Sequence, residues 1–220
     1  METIKIYSSA RCPYAQRTRM LLIEKKLPFE VIEVDLRSKP DWFLSVSPYG
    51  KVPVVVDDQE TVYESAIINE YLDEKYKNIP LMPEEPFEKA KARIWMDYCT
   101  NKYLTLSRKL LTDNGNDELQ SQNKEKLKQA LIYIEKECFE KNSSGPFWLG
   151  EKISLVDLHY APFFERFSAF KYLFDVEWPE ECSKMKTWWE TIQQRDSFKM
   201  TVLPTEQHIE LYRSIMKGMS

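Results

Sequence analysis

The chain has 220 residues, of which 43% are hydrophobic and 30% charged, and its formal net charge is −4. This is the make-up of a soluble globular protein with room for one large or two small domains, and it excludes a disordered chain. With 31 basic residues against 35 acidic ones and no basic stripe, nucleic acid is not an expected partner; no apolar run approaches the roughly 20 residues needed to cross a bilayer, so none is expected with a membrane either.

"METIKIYSSARC" carries neither the apolar core of a signal peptide nor the arginine-rich character of a presequence, and a reducing, cytoplasmic location is expected. "TIKIY" alternates with the period of a strand, Ile4 and Ile6 sharing one face. A helix is predicted from Pro13 to about Lys26. "PFEVIEVDL" is a second strand and "KPDWFLSV" a short helical piece. "VPVVVDD" and "TVYE" form a hairpin around "DDQE", and "SAIINEYLDEKY" is a helix. This order, βαβ, a helical excursion and ββα, is that of a thioredoxin-like domain over residues 1–78.

Residues 79–87 hold Pro80, Pro83 and Pro86. Proline removes backbone donors and disfavours helix in the residue before it, so this is a linker. From residue 88 to 220 the periodicity is helical throughout, with helices predicted over 87–111, 118–141, 154–170, 181–195 and 205–216. The fold class is therefore α/β followed by an all-helical C-terminal domain. In "ISLVDL", Ser154 and Asp157 have the spacing of a capping box with Ile153 as its staple, a structural device.

Cys12, Cys99, Cys138 and Cys182 are scattered, and His159 and His208 are the only histidines. This is no metal-ligand spacing, and no metal is expected. Cys99, Cys138 and Cys182 read as core or helix-face residues. Cys12 differs. It precedes Pro13 at a strand-to-helix junction, where first-turn amides, the helix dipole and cations such as Arg11 or Arg17 favour a thiolate. The plain alternative is a cysteine filling a turn. Three residues on stands Ala15, so no resolving cysteine is at hand. A mixed disulfide at Cys12 needs an external thiol, and glutathione is the abundant one.

Two further motifs suit that ligand. In "GKVPVVVDD", a cis Pro53 would let the Val52 backbone pair with an extended peptide; an ordinary strand-start proline is the alternative. In "VYESAIINEYL", Ser65 and the amides at a helix start suit a carboxylate, and Glu64 suits an ammonium. A simple serine cap is the alternative.

"CPYAQRTRMLL", "SKPDWF", "GKVPVV", "YESAIINEYLDEKY" and "PFEKAKAR" together resemble the glutathione transferase superfamily, in particular its omega class. The resemblance covers the first domain almost continuously and the helical half more loosely, including "SLVDLHYAPFFERF". It implies a thioredoxin-like domain followed by a helical one, assembled as a homodimer. It implies Cys12 as nucleophile, Tyr14 as the aromatic residue beside it, and Lys39 at the glycyl carboxylate of glutathione. Val52 and Pro53 become the backbone clamp, Glu64 and Ser65 the γ-glutamyl site, and Lys51 a further contact. Arg166 and Tyr212 fall where omega enzymes line the second-substrate pocket. His208, in a stretch without the expected tryptophan, faces that pocket instead.

The implied reaction is glutathione-dependent reduction of a small oxidised or electrophilic acceptor: a mixed disulfide, dehydroascorbate or an S-(acylmethyl)glutathione. The rival readings are a transferase fold kept for interaction or regulation, and a lambda-type cysteine enzyme.

Overall fold

The computed structural model describes residues 3–141 and 144–219. Its N-terminal part is built from β1 (Ile4–Ser8), α1 (Pro13–Glu24), β2 (Phe29–Glu33), α2 (Phe43–Val46), β3 (Val54–Asp57), β4 (Glu60–Tyr63) and α3 (Ser65–Lys75). The four strands form one sheet in the order β2-β1-β3-β4. β1 runs parallel to β2, with Ile6 opposite Val31, and antiparallel to β3, with Ile6 opposite Val55. β4 closes the edge through the hairpin, Val55 facing Val62. The alternation read from the sequence holds: Ile4 and Ile6 are fully buried, while Lys5 is exposed.

The helical part comprises α4 (Pro86–Tyr98), α5 (Leu104–Thr112), α6 (Asp117–Ile134), α7 (Leu155–Phe164), α8 (Phe167–Phe174), α9 (Ser183–Gln194), α10 (Asp196–Lys199) and α11 (Thr205–Met219). A π-helical turn, Cys99–Tyr103, joins α4 to α5 into one rod, and another, Glu135–Glu140, extends α6. No helix among the described residues is long and apolar enough to cross a membrane.

The helix predicted over 154–170 is divided at Glu165–Arg166. The Arg166 amide turns to the Phe163 carbonyl at 3.2 Å, and the Arg166 guanidinium takes the Pro162 carbonyl left over. A side chain thus replaces the backbone donor, and the helix ends. Residues 196–199, a short turn after Arg195, were not anticipated.

The capping box forms as the spacing predicts. Asp157 accepts from the Ser154 amide at 2.7 Å and the Ser154 hydroxyl at 2.6 Å. It does more than cap: the Trp148 amide at 3.1 Å and the Trp188 indole at 2.8 Å also bind it. Trp148 stacks on Tyr160 at 4.0 Å, so this carboxylate organises the aromatic centre of the helical core.

The proline-rich segment is fastened at its start. Fully buried Lys25 donates to Asp73 at 2.7 Å and to the Ile79 carbonyl at 2.6 Å. The Asp73 carboxylate also receives the Leu81 and Met82 amides at 2.9 and 3.0 Å. The Leu81 carbonyl then accepts the Leu155 amide, the first of α7, at 2.9 Å.

Candidate active site

β1 delivers the chain to the loop 9–12, and Pro13 opens α1. Cys12 is the N-cap residue, in extended conformation, its amide turned back to the Ser9 carbonyl at 2.9 Å. Its sulfur is half-buried against Ala15, Val34, Phe43 and Val52, with Tyr7 at the rim, and donates to the Val52 carbonyl at 3.7 Å.

This packing corrects the expected acidic thiol. Burial pushes the Cys12 pKa up; the first-turn amides of Ala15 and Tyr14, and then Arg166 and Arg19, oppose it. Of the cations expected, Arg11 is exposed, whereas Arg17, though hydrogen-bonded to Ser65 and Cys99, stays within electrostatic reach of Cys12. The other three thiols are fully buried, and burial pushes each of them up as well.

The Val52–Pro53 peptide bond is cis. The Val52 carbonyl faces Cys12, and its amide has no hydrogen-bond partner among the described residues. An extended ligand can therefore pair there as an added strand does. On one side, Gly50 turns the chain at a positive φ of 57°, and Lys39 Nζ lies over it, 3.6 Å from where a β-carbon would stand. Ser47 pins the next residue by accepting from the Lys51 amide at 2.9 Å and donating to its carbonyl at 2.8 Å. Lys39 and Lys51 are exposed, with no carboxylate on either ammonium among the described residues.

On the other side, Glu64 heads α3 with φ 70° and ψ 114°, a left-handed conformation costly for a residue with a β-carbon. Its carboxylate does not cap the helix and pairs with no cation among the described residues. Ser65 is buried, and its hydroxyl accepts from Arg17 Nη1 at 3.3 Å.

Arg17 was read from the sequence only as a neighbour of Cys12. In the fold it is a buried guanidinium with no carboxylate partner among the described residues. Its Nε donates to the His159 carbonyl at 2.9 Å, and the group lies over the rings of Phe163 and Tyr14 at 4.7 and 5.1 Å. Its charge stands behind the Ser65 hydroxyl and favours an anion in front of it.

Beside this cleft, Tyr14, Leu104, Ser107, Arg108, Leu111, Phe163, Phe170 and Tyr212 line a cavity of about 140 Å³. Tyr212, expected at a second-substrate pocket, lines this cavity. Arg166 and His208, expected there too, do not. They are 2% and 1% exposed and belong to a polar network between the two halves. Glu165 accepts from His208 at 2.6 Å, from the Leu203 amide at 2.9 Å and from Gln16. Arg166 donates to Gln16 at 3.2 Å and to the Arg11 carbonyl at 3.1 Å. Burying a guanidinium and an imidazole is tolerable only with such partners, and these lie inside rather than at the cavity wall. Sequence reasoning missed Gln16, Arg19 and Glu165. The one available signal was the run of four polar side chains, Gln16, Arg17, Thr18 and Arg19, between Ala15 and Met20 in α1.

A thioredoxin-like sheet with a thiol at the head of its first helix, a cis-proline loop opposite and a helical domain behind defines a two-part thioredoxin-like class of proteins. The glutathione S-transferase N-terminal domain model matches residues 11–75, and the C-terminal domain model residues 117–190. The pig glutathione S-transferase omega-1 is 34% identical over 186 residues, 84% of this chain and 74% of that protein. Among solved structures, glutathione transferase Omega 3C of Trametes versicolor superposes with a TM-score of 0.88 at 24% identity, covering 99% of this chain and 92% of that one. Rice GST1 gives a TM-score of 0.88 at 24% identity, covering 98% and 99%. The chain belongs to the glutathione transferase family and is omega-like.

Proposed function

We propose that this glutathione transferase is a thiol transferase whose nucleophile is Cys12. The observation that carries the reading is the Cys12 sulfur facing the Val52–Pro53 loop, with Lys39 and Lys51 beyond one side and Glu64 with Ser65 beyond the other, neither the two ammoniums nor the Glu64 carboxylate being ion-paired among the described residues. Glutathione has the matching order: a glycyl carboxylate, a peptide centre and a γ-glutamyl end carrying both ammonium and carboxylate. The rice relative's structure is described as a complex with glutathione.

In this reading residues 1–78 hold glutathione, residues 79–87 link, and residues 88–220 supply the acceptor cavity with Tyr212. The Cys12 thiolate attacks a sulfur of the acceptor disulfide, forming a mixed disulfide and releasing the other sulfur as thiolate. A glutathione thiolate then attacks the mixed disulfide, giving the oxidised product and restoring Cys12. Ala15 and the burial of Cys99, Cys138 and Cys182 leave no internal thiol to resolve the intermediate. Dehydroascorbate and S-(acylmethyl)glutathiones are further acceptors, and a reducing, cytoplasmic setting suits the chemistry.

The test is retention on immobilised glutathione, followed by turnover of hydroxyethyl disulfide and of a chlorinated nitrobenzene. Disulfide turnover is expected to dominate; dominant conjugation would overturn the reading. Charge-assisted contacts are worth about ten- to a hundredfold in affinity. Glu64→Ala and Lys39→Ala should each weaken glutathione binding by that order with the melting temperature held. Calorimetry giving wild-type affinity for both would remove these roles.

A homodimer is also proposed. Tyr49, Tyr63, Ile67, Phe87 and Ile94 are exposed on the loop before β3 and on β4, α3 and α4, and the Glu70–Arg93 ion pair ties α3 to α4 beside them. Such apolar exposure marks an interface. Sedimentation should show a dimer for the wild type and a monomer for Ile67→Glu; a monomeric wild type would exclude it.

A further inference from the structure

The loop that carries Cys12 presents three consecutive carbonyl oxygens, and each is met by an arginine. Arg19 Nη1 donates to the Ser9 carbonyl at 3.0 Å, and its Nη2 to the Ala10 carbonyl at 3.2 Å. Arg166 Nη2 donates to the Arg11 carbonyl at 3.1 Å. The two guanidiniums come from different halves of the chain: Arg19 from α1, and Arg166 from the junction of α7 and α8. Both are buried, at 8% and 2% exposure.

We propose that Arg19 and Arg166 are positioning residues for Cys12, clamping the carbonyls of residues 9–11 so that the sulfur is held at the mouth of α1. The proposal rests on Cys12 being the nucleophile. Neither arginine forms part of the glutathione contacts assigned above.

Burial of both guanidiniums demands a function for their donors. Arg19 spends one more on the Ser8 hydroxyl and Arg166 others on Gln16 and the Pro162 carbonyl. The loop carbonyls account for the rest of the donors that the structure shows in use. The loop has few other anchors: the Ala10 amide on Glu33 at 2.8 Å, the Cys12 amide on the Ser9 carbonyl, and the Val34 amide on the Ser8 carbonyl at 2.7 Å. Without the arginines, the Ala10 and Arg11 carbonyls would lose these partners and the Ser9 carbonyl would keep only the Cys12 amide, so the loop could turn them toward the sulfur.

The same two charges act directly on the thiol. The charged and titratable groups around it are Arg17, Arg19 and Tyr14 on α1, Tyr7 on β1, Glu33 on β2, and Glu165 and Arg166 behind. Arg166 and Arg19 are the cations that counter the upward push of burial on Cys12. Glu165, 4.0 Å from Arg166 and held by His208, balances the buried charge from the side away from the loop.

The experiment is alkylation of the full-length protein by iodoacetamide across a pH series, without glutathione, with modification of the Cys12 peptide read by mass spectrometry. Arg19→Gln and Arg166→Gln should each move the midpoint of the Cys12 rate upward, and Arg19→Lys should restore part of the shift. In hydroxyethyl disulfide turnover, kcat should fall about ten- to a hundredfold, the scale of a misplaced reacting atom, while KM for glutathione holds. If Arg166→Gln does not fold, Arg19→Gln decides the matter. An unchanged midpoint with unchanged kcat in the folded variant overturns the clamp. If instead Cys12→Ala retains full turnover, the failure lies with the nucleophile assignment and not with the clamp, because the alkylation midpoint is read without turnover.

Discussion

Cys12→Ala should reduce hydroxyethyl disulfide turnover to the uncatalysed rate, a loss on the order of 10³-fold or more, as expected when a nucleophile is removed. Cys99→Ala, Cys138→Ala and Cys182→Ala should keep most of the activity. The asymmetry follows from exposure. Cys12 is half-buried at the cleft, whereas the other three thiols are fully enclosed and cannot meet a disulfide without local unfolding. Glutathione binding should survive in Cys12→Ala, because Lys39, Val52, Glu64 and Ser65 are untouched. Weak conjugating activity is compatible with that outcome; full disulfide turnover is not, and would end the mechanism.

Asp157→Ala should be the most damaging substitution away from the cleft. Its carboxylate gathers donors from Ser154, Trp148 and Trp188 in a place with no access to water. Each orphaned buried donor costs about 1–3 kcal/mol. A loss of about 4 kcal/mol or more is expected, which for a chain of this size lowers Tm by roughly 10 °C. Scanning calorimetry reads it directly, and a shift within about 2 °C would remove Asp157 from this role. The pH dependence has a definite sign. Burial pushes the Asp157 carboxyl from 3.8 up to about 6, so the folded protein holds this proton more tightly than the unfolded chain. The stability it adds is complete below 3.8 and is lost as pH rises through about 6. Asp157→Asn has no such titration, and its deficit should widen as pH is lowered from neutrality toward 5.

What was legible in the sequence was whatever depended on local pattern. Ile4 and Ile6 announced β1, Ser154 and Asp157 announced the start of α7, and the prolines announced the connector. The places of Cys12, Val52, Pro53, Glu64 and Ser65 in the fold could be read because turn and helix-start chemistry is written within a few residues. The buried polar network was not legible, because its members are far apart in sequence: Gln16 meets Glu165, and Arg166 meets Arg11. Arg166 and His208 were therefore read as pocket residues. Helix α1 hid its arginines for a related reason. A helix packed on nearly every side has no solvent face on which to place them, and period alone cannot tell a charged group that is paired inside from one that is solvated. The sign of the Cys12 shift was missed because the helix start was visible in the sequence and the apolar floor under the sulfur was not.

The connector between the two halves has a consequence for how the molecule can be taken apart. Proline-rich joints are commonly treated as places to cut, swap or splice. Here Asp73 grips the Leu81 and Met82 amides, Lys25 grips Asp73 from beneath, and Leu81 hands its carbonyl to the first amide of α7. A break at this joint would strip an ion pair of its surroundings on one side and leave a helix end uncovered on the other. The joint works as a rivet. Chimaeras that exchange whole halves between related chains must carry Lys25, Asp73 and the Leu81–Leu155 pairing across together, and the two halves should melt in a single transition.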